Sequence, residues 1–340
     1  MCGRFPGVAW GTMTNPERDP QETVATTGDV ECGIEVLSPR DVPLGGPRAM
    51  RVRRTLPQRE RSLIGAWCFV DHYGPDLVAE SGGMSVAPHP HTGLQTVSWL
   101  FEGEIRHRDS AGNDAMVRPG EVNLMTGGQG ISHSEVSTAG TTSLHGVQLW
   151  VALPDASRHV APGFAHHAPA LLTGSGWQAR VFLGSLLGDT SPVSTHTPLL
   201  GAELHLDPGA RLDLEVDDTF ELGFLVDRGV LQVDEREVKQ DELAYVAPGR
   251  TSIALTAGAE AVRVVVLGGP PFGEQIVMWW NFVGRTHEEV VAFREEWQDQ
   301  VVGVTDGREV RPGRFGIVVD EPLPPIPAPT LPNARLRSRG

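Results

Sequence analysis

Residues 83–103 read GMSVAPHPHTGLQTVSWLFEG, and residues 128–137 read GQGISHSEVS. Each stretch sets two metal-binding side chains one residue apart: His89 with His91, and His133 with Glu135. On a β-strand, positions i and i+2 share a face, so each pair can aim two donors at one point. Glycines flank both stretches, and Thr96–Phe101 is an apolar run of strand length. The spacing predicts two turn-bounded strands that bring three nitrogens and one carboxylate around one ion. An octahedral ion held by four such donors keeps two positions open. Imidazole donors suit iron, nickel, copper and zinc.

Strand signals continue on both sides. After the turn at Glu102-Gly103 come EIRHRD, a turn at Ser110–Asn113, Pro119-Gly120, EVNLMT and finally LHGVQLWVALP at 144–154. The second half repeats this alternation of strands and turns in AELHLDPGARLDLEVDD, ELGFLVDRGVLQVDEREV, DELAYVAPGRTSIALTAG and AVRVVVLGG. The order strand, glycine turn, strand, Pro-Gly, strand occurs in EGEIRH with VRPGEVNLMT and again in RGVLQV with LAYVAPGRTSIAL. That is the pattern of an internal duplication, two β-barrels in one chain. One helix is predicted over THEEVVAFREEWQDQ, with Thr286 as its N-cap, Glu289 completing a capping box, and Val290, Phe293 and Trp297 as its apolar stripe.

A chain of 340 residues accommodates two such domains. The net charge of −15 argues against nucleic acid or an anionic membrane as a partner, since both are polyanions. No apolar run reaches the ~18 residues that span a bilayer. The opening residues show no basic segment followed by an apolar core, so a cytoplasmic location is expected. Three widely spaced cysteines, Cys2, Cys32 and Cys68, fit a reducing compartment and no disulfide framework or thiolate metal site. Residues 1–34 are polar and aperiodic, a flexible leader. The stretch from Glu321, EPLPPIPAPTLPNARLRSRG, reads as an extended proline-rich tail with a solvated basic end.

Gly83, five residues, then His89-x-His91 also resembles the opening of the first motif of cupins, small double-sheet β-barrels. The likeness extends well beyond that motif. RERSLIGAWCFVDHYGP, HPHTGLQTVSWLFEGEIRHRDSAGN, VRPGEVNLMTGGQGISHSE and LHGVQLWVALP in the first half resemble the pirin family of bicupins. THTPLLGAELHLDPGA and GGPPFGEQIVMWWNFVGRTHEEV in the second half agree. The likeness covers about residues 35 to 316. It implies an all-β fold, two jelly-roll cupin domains in tandem with a C-terminal helix. The expected parts are a metal-binding N-terminal cupin at 35–165, a C-terminal cupin without metal at 166–272, a closing strand and helix at 273–316, and the tail at 317–340. It also implies a single divalent metal, usually Fe(II), with Ni, Cu, Mn or Zn as substitutes. Carried over by position, its ligands are His89, His91, His133 and Glu135. Position 95 departs from the family, with glutamine where a glutamate is usual.

The activity that the resemblance implies is a quercetinase-type dioxygenase opening the ring of a flavonol, with Glu135 both ligand and transient base. An alternative is a non-enzymatic, metal- or redox-dependent regulator that binds a protein partner in transcriptional or metabolic control. A third is a metal-lined isomerase or similar small-molecule enzyme. A monomer is expected. His107, on the predicted strand EIRHRD, is a candidate to line the cavity. His145, His159, His166, His167, His196 and His205 have no i,i+2 partner and read as surface or ordinary core histidines. Gly127–Gly130 reads as a tight turn, Ser132 and Ser134 as facing away from His133, and Trp279 and Trp280 as packing residues.

Overall fold

The computed structural model describes residues 33–44, 50–301 and 313–338. All of the predicted leader except Gly33 and Ile34 lies outside the described residues. The rest is an all-β bicupin closed by a helix. Each half builds one seven-stranded and one four-stranded antiparallel sheet, the duplication seen in the sequence. In the first barrel the large sheet runs in the order Gly163–His167, Val122–Thr126, Leu94–Glu102, Ser143–Ala152, Trp67–Leu77, Met50–Leu56, Arg40–Leu44. The small sheet runs Ser85–His91, Ile131–Ser137, Ile105–Asp109, Asp114–Val117. The Gly163–His167 strand pairs antiparallel with Val122–Thr126 at one edge of this large sheet. At the other end, Ile34–Leu37 pairs with Leu243–Val246 at the edge of the second barrel's large sheet. That short strand covers the edge of the second barrel's sheet.

The two large sheets stack on each other, and that contact explains their composition. Along Leu94–Glu102, Val97, Trp99 and Phe101 face the second barrel, while Ser98 and Leu100 face their own interior. Both faces are buried, so these strands read as continuous apolar runs instead of alternating ones. Trp67 sits in the seam against Leu199, Leu225, Val265 and Leu267, with its indole nitrogen 3.2 Å from the carbonyls of Leu200 and Gly268. Trp99 stacks on Phe182 and donates to Glu203 at 2.6 Å. The second barrel holds a large hydrocarbon core, with Leu204, Leu214, Phe224, Ile253 and Val264 among its members.

The last fifth of the chain returns to the first barrel. A hairpin, Val277–Trp279 with Phe282–Gly284, docks where the Val283 amide donates to the Thr92 carbonyl at 3.0 Å. Gly93 makes that approach feasible: its φ is +67°, and an added Cβ would lie 2.2 Å from the Val283 carbonyl oxygen. Gly93→Ala is expected to cost more than ~2 kcal/mol, read as an earlier urea midpoint, since backbone has to shift. An unchanged midpoint would show that the hairpin does not dock here.

The helix His287–Val301 buries Val290, Phe293 and Trp297. Thr286 caps it, the Glu289 amide donating to Thr286 Oγ1 at 3.2 Å, while the Glu289 carboxylate reaches one residue past the cap and accepts from the Arg285 amide at 2.6 Å. Partial burial works to raise the Glu289 pKa, but the Arg285 amide and Arg158 guanidinium outweigh it and hold it below the usual 4.5. A depressed carboxylate contributes stability above its unfolded pKa and loses it as pH falls through the folded one. Glu289→Gln is therefore expected to cost about 0.5–1 kcal/mol at pH 7. The difference from wild type should close below pH 4.5, and a pH-independent difference would refute the assignment.

The proline-rich end carries no helix or strand, yet it does not stand free in solvent. Phe315, Ala328 and Leu336 pack with Trp279, Trp280 and Trp297. The Ile326 amide donates to the Pro88 carbonyl at 2.8 Å, and Glu321 accepts from Ser134 Oγ at 2.7 Å. Apolar residues set between the prolines supply this packing, which a composition-based reading misses.

Candidate metal centre

The two strands that carry the HxH and HxE pairs are neighbours. Ser85–His91 and Ile131–Ser137 run antiparallel with His133 opposite His89, and the register slips between His133 and Glu135. On its other side Glu135 lies opposite His107 of Ile105–Asp109. Donor atoms of His89, His91 and His133 fall within 4.8 Å of one another, as do those of His107, His133 and Glu135. His133 joins both groups. The four predicted ligands are thus gathered along one strand pair, with the three histidines as one set and the carboxylate in a second set beside His107.

Hydrogen bonding prepares these rings. His89 Nδ1 lies 2.9 Å from the Ala87 carbonyl, which can only accept, so the proton is on Nδ1 and Nε2 presents a lone pair. That Nε2 is buried and has no hydrogen-bond partner. His91 Nε2 and His133 Nε2 are 3.0 Å apart, and His133 Nδ1 lies 3.3 Å from His107 Nδ1. Burial, followed by the neighbouring histidines, drives His91 and His133 well below the usual 6.5, and burial takes His89 down to about 3. All three are neutral imidazoles at ordinary pH, the form that ligates a metal. A buried nitrogen without a partner is costly in an empty protein, and a cation is the ligand that would satisfy it. The residues present fit a borderline transition metal.

Burial raises the Glu135 carboxyl, while His107 and Ser98 work the other way. Ser98 Oγ lies 3.3 Å from Glu135 Oε1 and 3.0 Å from Gln148 Oε1, so its one proton is shared. Tyr73, fully buried with an unpartnered hydroxyl, is held well above 10 by burial and by the charge of Glu135. A phenol near that carboxylate is a proton donor that no sequence spacing signalled. Its one cue is rarity, because the chain has two tyrosines. Trp150 meets His91 edge-on at 5.3 Å and stacks on Phe69. Gln95 donates to Thr126 Oγ1 at 2.9 Å, while its carbonyl oxygen is buried without a partner.

The other sequence motifs fall as follows. His107 is buried and bonds Asp109 Oδ2 at 3.2 Å. Ser134 turns to Glu321, away from the histidines. The Gly130 amide closes a turn on the Gly127 carbonyl. His145 is a buried histidine, and with His72 it converges on Asp227 of the second barrel. Cys68 is buried, and burial pushes its thiol up to about 12, so it is inert. No described helix is long and apolar enough to cross a membrane.

Tandem barrels with a histidine-rich interior in the first define a bicupin with a candidate metal site. Residues 49–151 match the pirin family, and residues 201–303 match the pirin C-terminal cupin domain. A Pseudomonas aeruginosa protein named provisionally as a quercetin 2,3-dioxygenase is 42% identical over 271 residues, 78% of this chain and 84% of its own length. A crystal structure titled quercetin 2,3-dioxygenase from Acinetobacter baumannii superposes with a TM-score of 0.81 at 37% identity, covering 90% of this chain and 98% of that one. An Escherichia coli pirin solved with nickel(II) shares the fold alone: TM-score 0.56, 17% identity, 70% of this chain and 100% of that one. The chain belongs to the pirin family.

Proposed function

We propose that the protein is a metal-dependent dioxygenase acting on flavonol-type aromatic hydroxyketones, with Fe(II) held by His89, His91, His133 and Glu135. The observation that carries this is the set of neutral, buried imidazoles, one with an unpartnered Nε2, converging beside a carboxylate. Relatives named for quercetin 2,3-dioxygenase support the substrate class. When bound, the metal would supply Lewis acidity to a chelating hydroxyketone and a binding position for oxygen. The protein's own part is proton handling and exclusion of water. Glu135, its affinity for protons raised by burial, takes the substrate hydroxyl proton. Ser98 orients that carboxylate, and the Tyr73 hydroxyl supplies a hydrogen bond to it or to the substrate oxygen. Every candidate ligand is buried, so little water competes for the open positions. The same reading places the protein in a reducing cytoplasm as a monomer, with no nucleic-acid partner.

The test is oxygen uptake. Protein loaded anaerobically with Fe(II) should consume oxygen when a flavonol is added, faster than the same concentration of free Fe(II) by at least ~100-fold. Uptake equal to that of free iron sinks the enzymatic reading and leaves the metal- or redox-dependent regulator that binds a protein.

A further inference from the structure

A second constellation of metal-binding side chains lies outside the pirin site, in the seam between the barrels. His72 comes from Trp67–Leu77 and His145 from Ser143–Ala152, both in the first barrel; Asp227 comes from Glu221–Arg228 in the second. His72 and Asp227 have fully buried side chains, and His145 is 6% exposed. Their donor atoms are closely gathered. The two Nε2 atoms are 3.3 Å apart, and Asp227 Oδ1 is 2.7 Å from His72 Nε2 and 2.6 Å from His145 Nε2.

The surroundings are those of a ligand set. The other carboxylate oxygen, Asp227 Oδ2, accepts from Arg263 Nε at 2.6 Å, which fixes the carboxylate and leaves Oδ1 for the histidines. Behind His72, Nδ1 lies 3.0 Å from Asp241 Oδ1, off the line of a hydrogen bond, and the same oxygen is paired with Arg53 Nε at 3.0 Å. A carboxylate behind the distal nitrogen of a histidine is the usual backing of a metal ligand. Without a cation, Asp227 can only accept, so both rings hold their protons on Nε2, crowded onto one oxygen. With a cation on Nε2, the protons move to Nδ1, and Asp241 receives the one from His72. Arg263 Nη2, 3.5 Å from His145 Nδ1, then has to swing aside, while its Nε stays anchored on Asp227.

We propose that His72, His145 and Asp227 form a second divalent metal site of the zinc class, joining the two barrels. The nitrogen–nitrogen separation equals the edge of a tetrahedron with ~2.0 Å bonds, about 3.3 Å. The two edges to Asp227 are shorter and must open on binding. A cavity of about 550 Å3, lined by His145, Asp227, Arg263, Lys239, Glu102 and Glu260, reaches two of the three side chains but not His72, and leaves room for a water as fourth ligand. Two neutral histidines and one carboxylate backed by arginine make a set for zinc or cobalt(II) rather than for magnesium or calcium.

The site is tested with cobalt(II) as the probe on full-length, chelator-stripped protein. The variant His89→Ala/His91→Ala, which removes two of the pirin-site histidines, should still bind about one cobalt with tetrahedral visible absorption. Zinc should raise its melting temperature. Adding Asp227→Asn, nearly isosteric, or His145→Gln should weaken cobalt binding at least ~100-fold and abolish the melting shift. If the double-alanine variant does not fold, the wild type serves: it should take up two equivalents, of which Asp227→Asn loses one. Binding that survives both Asp227→Asn and His145→Gln overturns the site. So does a folded double-alanine variant that takes up no cobalt, in which case the cluster is only a hydrogen-bonded latch between the barrels.

Discussion

The variant His89→Ala/His91→Ala is expected to lose the metal proposed for the first barrel, where the wild type should take up about one Fe(II) per chain. On the proposed assignment each histidine would supply one bond from a ring already neutral and buried, so no proton would have to leave. Loss of even an outer-shell partner of a metal ligand costs 10–100-fold in affinity, so two ligands lost together should weaken binding by ~10⁴ or more. The affinity is read by titrating stripped protein with Fe(II) under anaerobic conditions, and flavonol-dependent oxygen uptake should vanish in parallel. The fold itself should survive in the metal-free state. His89 Nε2 and His91 Nδ1 are buried without partners, so truncation removes orphaned polar atoms along with packing. Circular dichroism separates the two outcomes. Wild-type iron affinity in a folded double variant would mean that these histidines are not the ligands.

Trp67→Ala should be the most damaging single change away from the histidines, costing about 3–5 kcal/mol. Trp67 is completely buried among leucines and valines of both barrels, and its indole nitrogen serves two carbonyls of the second. Its removal opens a void at the junction and strands those carbonyls, and neither sheet can collapse into the gap without breaking its own ladder. Because the seam core is shared, the barrels should unfold together in the wild type. The variant should lower the denaturant midpoint of the whole transition, measured by intrinsic fluorescence and circular dichroism together. A midpoint within about 1 kcal/mol of wild type would show that the barrels fold independently.

What the sequence made legible was whatever repeats over short distances. The i,i+2 pairs at 89/91 and 133/135, the turn glycines and the Thr286–Glu289 cap all act within a few residues, and each is where the spacing predicts. Doubling of the strand pattern predicted two barrels with matching sheets. What was hidden depends on partners far along the chain. His72 meets Asp227 across 155 positions, and no local period marks either residue. Tyr73 gains its interest from Glu135 on another strand. Ile34–Leu37 completes a sheet whose partner strand is some two hundred residues later. The tail looked like a solvated end because its prolines dominate its composition, while Phe315, Ala328 and Leu336 do the packing.

The unlike fillings of the two barrels divide the labour of the molecule. In one, the centre of the sandwich is given over to imidazoles and a carboxylate, groups that cost free energy until a guest arrives. Its twin is filled with branched aliphatics and rings, with no polar atom awaiting a visitor among its core members. The dry copy, fused through a common tryptophan-rich wall, offsets the expense of the wet one. Changes among the aliphatic residues of the second half should then alter how long the protein lasts, whereas Asp227, at the seam, stays tied to the proposed second metal site.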